Sequence, residues 1–211
     1  MQITILGSTG QVGKATLKEA LNLGYKVKVL VRSPEKLGDL KEKVIVIKGD
    51  LLDPLAVEEA LKGSEAVINA AGGVKEPDQY TKFRKIGEIL VEKMKQEKIT
   101  RLVNISGAVM CLSAEKLDFK RKIMKVFVRL FYPQMKQAQE AIIPVIESEP
   151  AISWTFVRAP MISKAGGTGK TAANDKKMPG TKIMLEDLAK FMAEQVASAE
   201  WVRKAPWVAS V

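Results

Sequence analysis

Histidine is absent from the 211-residue chain. That absence removes the Ser-His-Asp triad, the Cys-His pair and His-ligated zinc, and no metal site is expected. Proton transfer then falls to Tyr, Lys, Ser, Asp or Glu, or to a bound cofactor. Cysteine occurs once, at Cys111, which excludes an intrachain disulfide. With no obvious base near it, Cys111 reads as a packed residue near the end of a strand. Long apolar runs are also missing. The longest, such as Val44 to Ile47, fall far short of the roughly 20 residues a membrane-spanning helix needs, so no membrane partner is expected. A first strand starting at Gln2 or Ile3 leaves no room for a leader peptide, and the expectation is a cytoplasmic protein.

What remains is an ordinary globular composition, 46% hydrophobic and 27% charged. The length suits one α/β domain over residues 1–211 with a small C-terminal elaboration. A net charge of +10 points to anionic partners. The basic residues are mixed with acids, as in Glu92 to Lys98, and no aromatic-basic stripe or DNA-binding motif is present. A nucleotide cofactor accounts for the charge with fewer assumptions than nucleic acid does. Oligomeric state has no signature in the sequence.

Short apolar runs predict strands over 2–5, 26–31, 44–48, 66–70, 101–105 and 152–157. Helical spacing predicts helices over 11–23, 54–61, 80–96, 113–129, 134–147 and 185–197. Gly24 ends the first helix, and Asp53 before Pro54 reads as a cap. The Gly- and Lys-rich stretch 164–180 reads as a loop or hairpin, and Trp207-Val208 as an edge strand. Alternating strands and helices imply an α/β fold of Rossmann type. It is a doubly wound parallel sheet with helices on both faces and a ligand crevice at the strands' carboxyl ends.

Between the first strand and helix lies Gly7-Ser8-Thr9-Gly10-Gln11-Val12-Gly13, spaced GxxGxxG. Gly7 permits a sharp exit from the strand, Gly10 lets backbone approach phosphate oxygens, and Gly13 lets the helix pack closely on the strand. The helix start then offers unpaired amides to a pyrophosphate. Three glycines alone are a weak signal; their place between strand and helix strengthens it. The second strand ends Val31-Arg32-Ser33 with no acid. Arg32 and Ser33 can donate to a 2′-phosphate, which favours NADP(H) and leaves NAD(H) as an alternative. Asp50, just past the third strand, can accept from an adenine amino group, with Leu51 packed on the ring. Ala70, Ala71 and Gly72, past the fourth, are small enough to admit a ribose.

These pieces, with GSTGQVG, VRSPEKL, VIKGDLLDP, AVINAAGG, LVNISGA, MKQAQEAI, ISWTFVRAP and MLEDLAKFM in order, cover most of the chain. Together they resemble the atypical short-chain dehydrogenase/reductases, in the branch of NmrA-like and flavin reductase (biliverdin reductase B)-like NAD(P)H-binding proteins. The resemblance implies a Rossmann core and cofactor contacts at Gly7 through Val12, including Ser8, Thr9 and Gln11, and at Arg32, Asp50, Leu51, Ala70, Ala71 and Gly72. It also implies that Ser106 faces the nicotinamide and that Lys136 lies near its ribose. Arg158, Ala159, Pro160 and Met161 would close over the carboxamide, although Ala159 replaces a proline usual in the family.

Such reductases often use Ser, Tyr and Lys: Tyr gives the proton, Lys lowers its pKa and holds the ribose, and Ser bonds the substrate oxygen. Tyr132 and Lys136 have YxxxK spacing, and Ser106 lies upstream. Pro133 starts a helix at or after itself, so Tyr132 is either the proton donor or a packing residue on the preceding turn. Gly169-Lys170-Thr171 ends like a Walker A loop, but Lys164 stands where its first glycine belongs. Three functions follow. The first is an NADPH-dependent reductase of a small acceptor, such as a flavin, quinone or carbonyl compound. The second is a non-catalytic NADP(H)-binding redox sensor. The third is a nucleotide-sugar epimerase or dehydratase, for which the chain is short.

Overall fold

Most of the apolar runs form strands that are buried on both faces, which is why they lack strict alternation; Ile45–Lys48, at the sheet edge, is only partly buried. The computed structural model of the chain describes residues 1–72, 78–113, 115 and 133–211, with the backbone alone at 133–137 and 139. The strands are β1 (Gln2–Leu6), β2 (Lys26–Val31), β3 (Ile45–Lys48), β4 (Ala66–Asn69), β5 (Arg101–Gly107), β6 (Ser153–Ala159), β7 (Met161–Ser163), β8 (Thr171–Asn174), β9 (Lys182–Met184) and β10 (Trp207–Ser210). The helices are α1 (Gln11–Asn22), α2 (Pro54–Leu61), α3 (Gln79–Gln96), α4 (Pro133–Glu147) and α5 (Leu185–Glu194), with a 3-10 segment over Pro34–Lys43. The helix expected over 113–129 lies, residues 113 and 115 aside, outside the described residues.

An eight-stranded sheet runs β3-β2-β1-β4-β5-β6-β10-β8. Its pairings are parallel except that of β10 with β8. On one face Ile3, Ile5 and Val29 pack with Leu17 of α1 and Leu188 and Met192 of α5. On the other, Leu6 and Leu102 pack with Leu61 of α2, Leu90 of α3 and Ile142 of α4. Each such side chain, fully buried, contributes about 1.5–3 kcal/mol. Two polar groups inside find backbone partners: Thr4 donates to the Ala60 carbonyl at 2.6 Å, and the Lys28 ammonium donates to the carbonyls of Glu59 (2.6 Å) and Lys62 (3.0 Å). Both satisfy the carboxyl end of α2 against the sheet.

The chain builds outward from β1 to β3, then returns to place β4 on the other side of β1. Strand order reverses there, so a crevice opens at the carboxyl ends of β1 and β4. The C-terminal third differs from the expectation. The stretch 164–180, expected as a loop or hairpin, contains β8, which pairs with β10 rather than within the stretch, and β10 lies between β6 and β8 rather than at an edge. Trp207, Val208 and Ala209 are accordingly buried. The reason is that β8, Thr-Ala-Ala-Asn, carries none of the bulky residues that mark a strand, and only its pairing with β10 makes it one. β7 and β9 form a separate parallel pair. Among the described residues no helix is long and apolar enough to cross a membrane, and no cluster of three or more His, Cys, Asp or Glu could hold a metal.

Candidate functional site

Gly7 leaves β1 with φ +75°, a conformation that side chains rarely adopt. A Cβ there would lie 2.5 Å from the Ala71 amide nitrogen, so the turn rests directly on the end of β4. The Gly10 amide donates to the Gly7 carbonyl at 3.0 Å. A Cβ on Gly13 would collide with that same carbonyl, so α1 sits tight against the turn. Gly10 is different. Its φ of −76° is ordinary, and a Cβ there would be 3.3 Å from the Gly7 oxygen. As the N-cap of α1 it supplies no side-chain acceptor, so the first-turn amides are left without a side-chain cap. Ser8 is fully buried, and its hydroxyl has no partner among the described residues.

A cleft of about 400 Å³ opens beside this turn. It gathers Gly7, Thr9, Gly10, Arg32, Asp50, Leu51, Ala70, Ala71 and Gly72 from the expected set. Gln11 lies on an adjoining groove of about 350 Å³ that shares Thr9 and Gly10. Gly13 is buried under the turn and Val12 is half-buried. Ser33 caps the 3-10 segment next to Arg32 without a side-chain cap bond. An acid does stand near Arg32, contrary to the reading of the second strand by itself: Asp50, at the end of neighbouring β3, places Oδ2 3.8 Å from the Arg32 Nε.

The sequence reading missed the cleft's other wall. Gln79, Lys82, Phe83 and Ile86 come from α3, at the i, i+3, i+4 and i+7 positions of one helix face. It also missed a buried amide pair. Asn69 Nδ2 donates to Asn104 Oδ1 at 2.7 Å, and Asn69 Oδ1 accepts from the Ala71 amide at 3.1 Å. This fixes the backbone against which Gly7 packs. The available signal was two asparagines near the ends of neighbouring buried strands, where an amide must find partners.

Ser106, Arg158, Ala159 and Pro160 lie farther along the sheet, at the ends of β5 and β6, and do not line this cleft. Ser106 is buried and its hydroxyl donates to the Val157 carbonyl at 3.2 Å. Arg158 is 1% exposed; its guanidinium grips Glu115 with Nη1–Oε1 at 2.9 Å and Nη2–Oε2 at 2.6 Å. It also stacks 4.1 Å from the Trp207 ring centroid, and Trp207 Nε1 donates to the Ala108 carbonyl at 2.8 Å. Ala159 is buried, Pro160 is half-buried and Met161 is exposed. Lys136 lies in α4, while Tyr132 lies outside the described residues. The half-buried Cys111 donates its thiol to the Val109 carbonyl at 3.3 Å.

The Walker-like stretch is turned toward a carboxylate. Asp187, at the start of α5, accepts from the Thr168 amide (3.0 Å), the Thr168 hydroxyl (2.9 Å), the Gly169 amide (2.9 Å) and the Ser210 hydroxyl (2.6 Å). Burial alone would push its carboxyl up, but the bonds from Ser210, Thr168 and Gly169 outweigh that and hold it below the ordinary carboxylate value. At the other end of α5, Arg101 donates to the Gln195 carbonyl, and burial lowers its guanidinium to about 10.

Comparison with known proteins gives a family and a fold. A sequence model described as NAD(P)H-binding matches residues 7–199. YwnB of Bacillus subtilis is 29% identical over 157 residues, covering 74% of this chain and 70% of YwnB. The photosystem II assembly factor Ycf39 of Cyanidium caldarium is 28% identical over 166 residues, covering 71% of this chain. The chain spans about half of that relative's length, 53%. Among solved structures, a Streptococcus pneumoniae protein described as a candidate NADH-flavin reductase superposes with a TM-score of 0.81 at 22% identity, covering 100% of both chains. At that identity the likeness concerns the fold.

Proposed function

The chain belongs to the NAD(P)H-binding family, and from that premise we propose that it is an NADPH-dependent reductase of a small acceptor, a flavin, quinone or carbonyl compound. One observation carries the reading: the amide end of α1, with no side-chain cap, opens into a cleft that has Arg32 on its far wall. The fit to a dinucleotide is chemical as well as spatial. Uncapped amides and a helix dipole favour a diphosphate. Gly10 supports this, because its backbone angles are open to any residue and a Cβ would only crowd the Gly7 oxygen at 3.3 Å, whereas a bare approach for phosphate requires a glycine. Arg32 offers a planar fork of donors suited to a 2′-phosphate, and Ser33 can add a hydroxyl. Ala70, Ala71 and Gly72 leave room for a ribose.

When bound, the reduced nicotinamide supplies a hydride. The proposed work of the side chains is to hold the acceptor and move protons. Ser106 would turn its hydroxyl from the Val157 carbonyl to the acceptor oxygen. Lys136 would hold the nicotinamide ribose and lower the pKa of Tyr132, which would give the proton. Arg158, Ala159 and Pro160 would wall the carboxamide through backbone, since the Arg158 guanidinium is engaged by Glu115. We take residues 1–211 as one NAD(P)-binding domain.

NADPH oxidation measured against a panel of flavins, quinones and aldehydes tests the reading. Turnover with one acceptor class supports it. Tight NADPH binding without turnover would instead favour the redox-sensor function, and absence of nucleotide binding would remove both.

A further inference from the structure

The ends of β2 and β3 stand side by side because the Gly49 amide donates to the Val31 carbonyl at 3.1 Å. That register brings Arg32 and Asp50 together across adjacent strands. Asp50 is tethered within its own turn, where its Oδ1 accepts from the Leu52 amide at 2.9 Å. The other oxygen, Oδ2, is left facing the Arg32 Nε at 3.8 Å. This distance is an ion pair without a hydrogen bond, between side chains that are 64% and 43% exposed. Both residues line the same cleft.

We propose that Asp50 is a specificity-determining residue that weakens the preference for NADP(H) over NAD(H), by competing with the 2′-phosphate for Arg32. The inference rests on the reading of the cleft as a dinucleotide site. Arg32 can bind a phosphate, but the group it now faces is a tethered carboxylate. A phosphate monoester carries about −1.5 to −2 charges near neutrality. Placed on Arg32, it would lie within a few ångströms of the Asp50 carboxylate, whose orientation the Leu52 amide maintains. The approach displaces one attraction and adds one repulsion. A cofactor with a free 2′-hydroxyl meets neither penalty, and its hydroxyl can donate to Asp50. The pair therefore tunes cofactor choice: Arg32 selects for the extra phosphate and Asp50 against it. Asp50 would then act on the adenosine ribose rather than as an acceptor for the adenine amino group.

Asp50→Asn tests this with little disturbance, because the asparagine oxygen can still accept from the Leu52 amide. Dissociation constants for NADPH, NADH, 2′,5′-ADP and 5′-AMP would be measured by calorimetry on the full chain, wild type and variant. The solvent-exposed setting limits the effect to about threefold to tenfold tighter binding of NADPH and 2′,5′-ADP. NADH and 5′-AMP should be unchanged or weaker, and the gain should shrink at high salt. Equal weakening of all four ligands would overturn the inference in favour of an adenine contact, and no change in any would overturn it outright. Failure of the wild type to bind any of the four would instead refute the dinucleotide reading itself.

Discussion

The two ends of the sheet are built on different principles. Around β1 to β4 the candidate site is made of backbone: a left-handed glycine, uncapped amides, and small residues past a strand end. Around β6 to β10 the structure is held by buried side-chain charges, Arg158 on Glu115 and Trp207, and Asp187 on Thr168, Gly169 and Ser210. The first region leaves donors open toward solvent; the second turns its donors inward. A dinucleotide's phosphates are the same in every chain that binds them, and fixed amides suit them. The second region ties distant segments together, as the 43-residue separation of Glu115 and Arg158 illustrates.

The largest effect should come from breaking the second region. Arg158→Met removes the guanidinium that grips Glu115, which keeps its bond from the Leu112 amide, and the ring contact with Trp207. Urea denaturation should show a loss of about 2–4 kcal/mol, below the full cost of an orphaned buried charge because Glu115 keeps some access to water. At a temperature where the variant is folded, NADPH affinity should stay within about threefold of wild type, since the contact proposed for Arg158 is made by its backbone, which methionine keeps, and its side chain is turned to Glu115. A large loss of affinity would mean the two regions are not separable.

Gly7→Ala breaks the first region. The strained φ and the clash with the Ala71 amide should together cost about 2–3 kcal/mol, and NADPH affinity should fall more than about tenfold as the turn shifts. Retained affinity in a folded variant would show that the turn does not position the ligand.

Asp187→Asn gives a smaller, pH-coded effect. The Asp187 carboxyl lies below its ordinary value in the folded chain, so its contribution is present above the unfolded pKa and fades as pH falls through the folded one. The variant should be about 1–2 kcal/mol less stable at pH 7, and the difference should narrow below about pH 4. A difference that does not change with pH would show that the charge at Asp187 is not what holds the loop.

Much of the first region was legible in the sequence and much of the second was not. β1, β2 and α2 matched their expected bounds within a residue, because continuous apolar runs and a Pro-started helix have local causes. The Asp53 cap is as local: its carboxylate accepts from the Leu55 amide at 3.0 Å. The glycine turn was readable because the strand exit at Gly7 and the close packing at Gly13 require glycine at fixed spacing. β8 was hidden because Ala172 and Ala173 owe their strand to β10, nearly forty residues on. The Arg32–Asp50 pair was hidden for a similar reason, since the register that joins them is a property of two strands and not of either. Ser106 could be placed at the end of β5, but what its hydroxyl touches depends on β6.

The most direct test of the central claim is NADPH titration into Gly10→Asp. An aspartate is a favourable N-cap at this φ and ψ, and it would satisfy the α1 amides with its own carboxylate. If those amides hold the diphosphate, the variant should keep wild-type stability to within about 1 kcal/mol while NADPH affinity falls by more than about thirtyfold. Binding as tight as wild type, in an equally stable variant, would contradict the account.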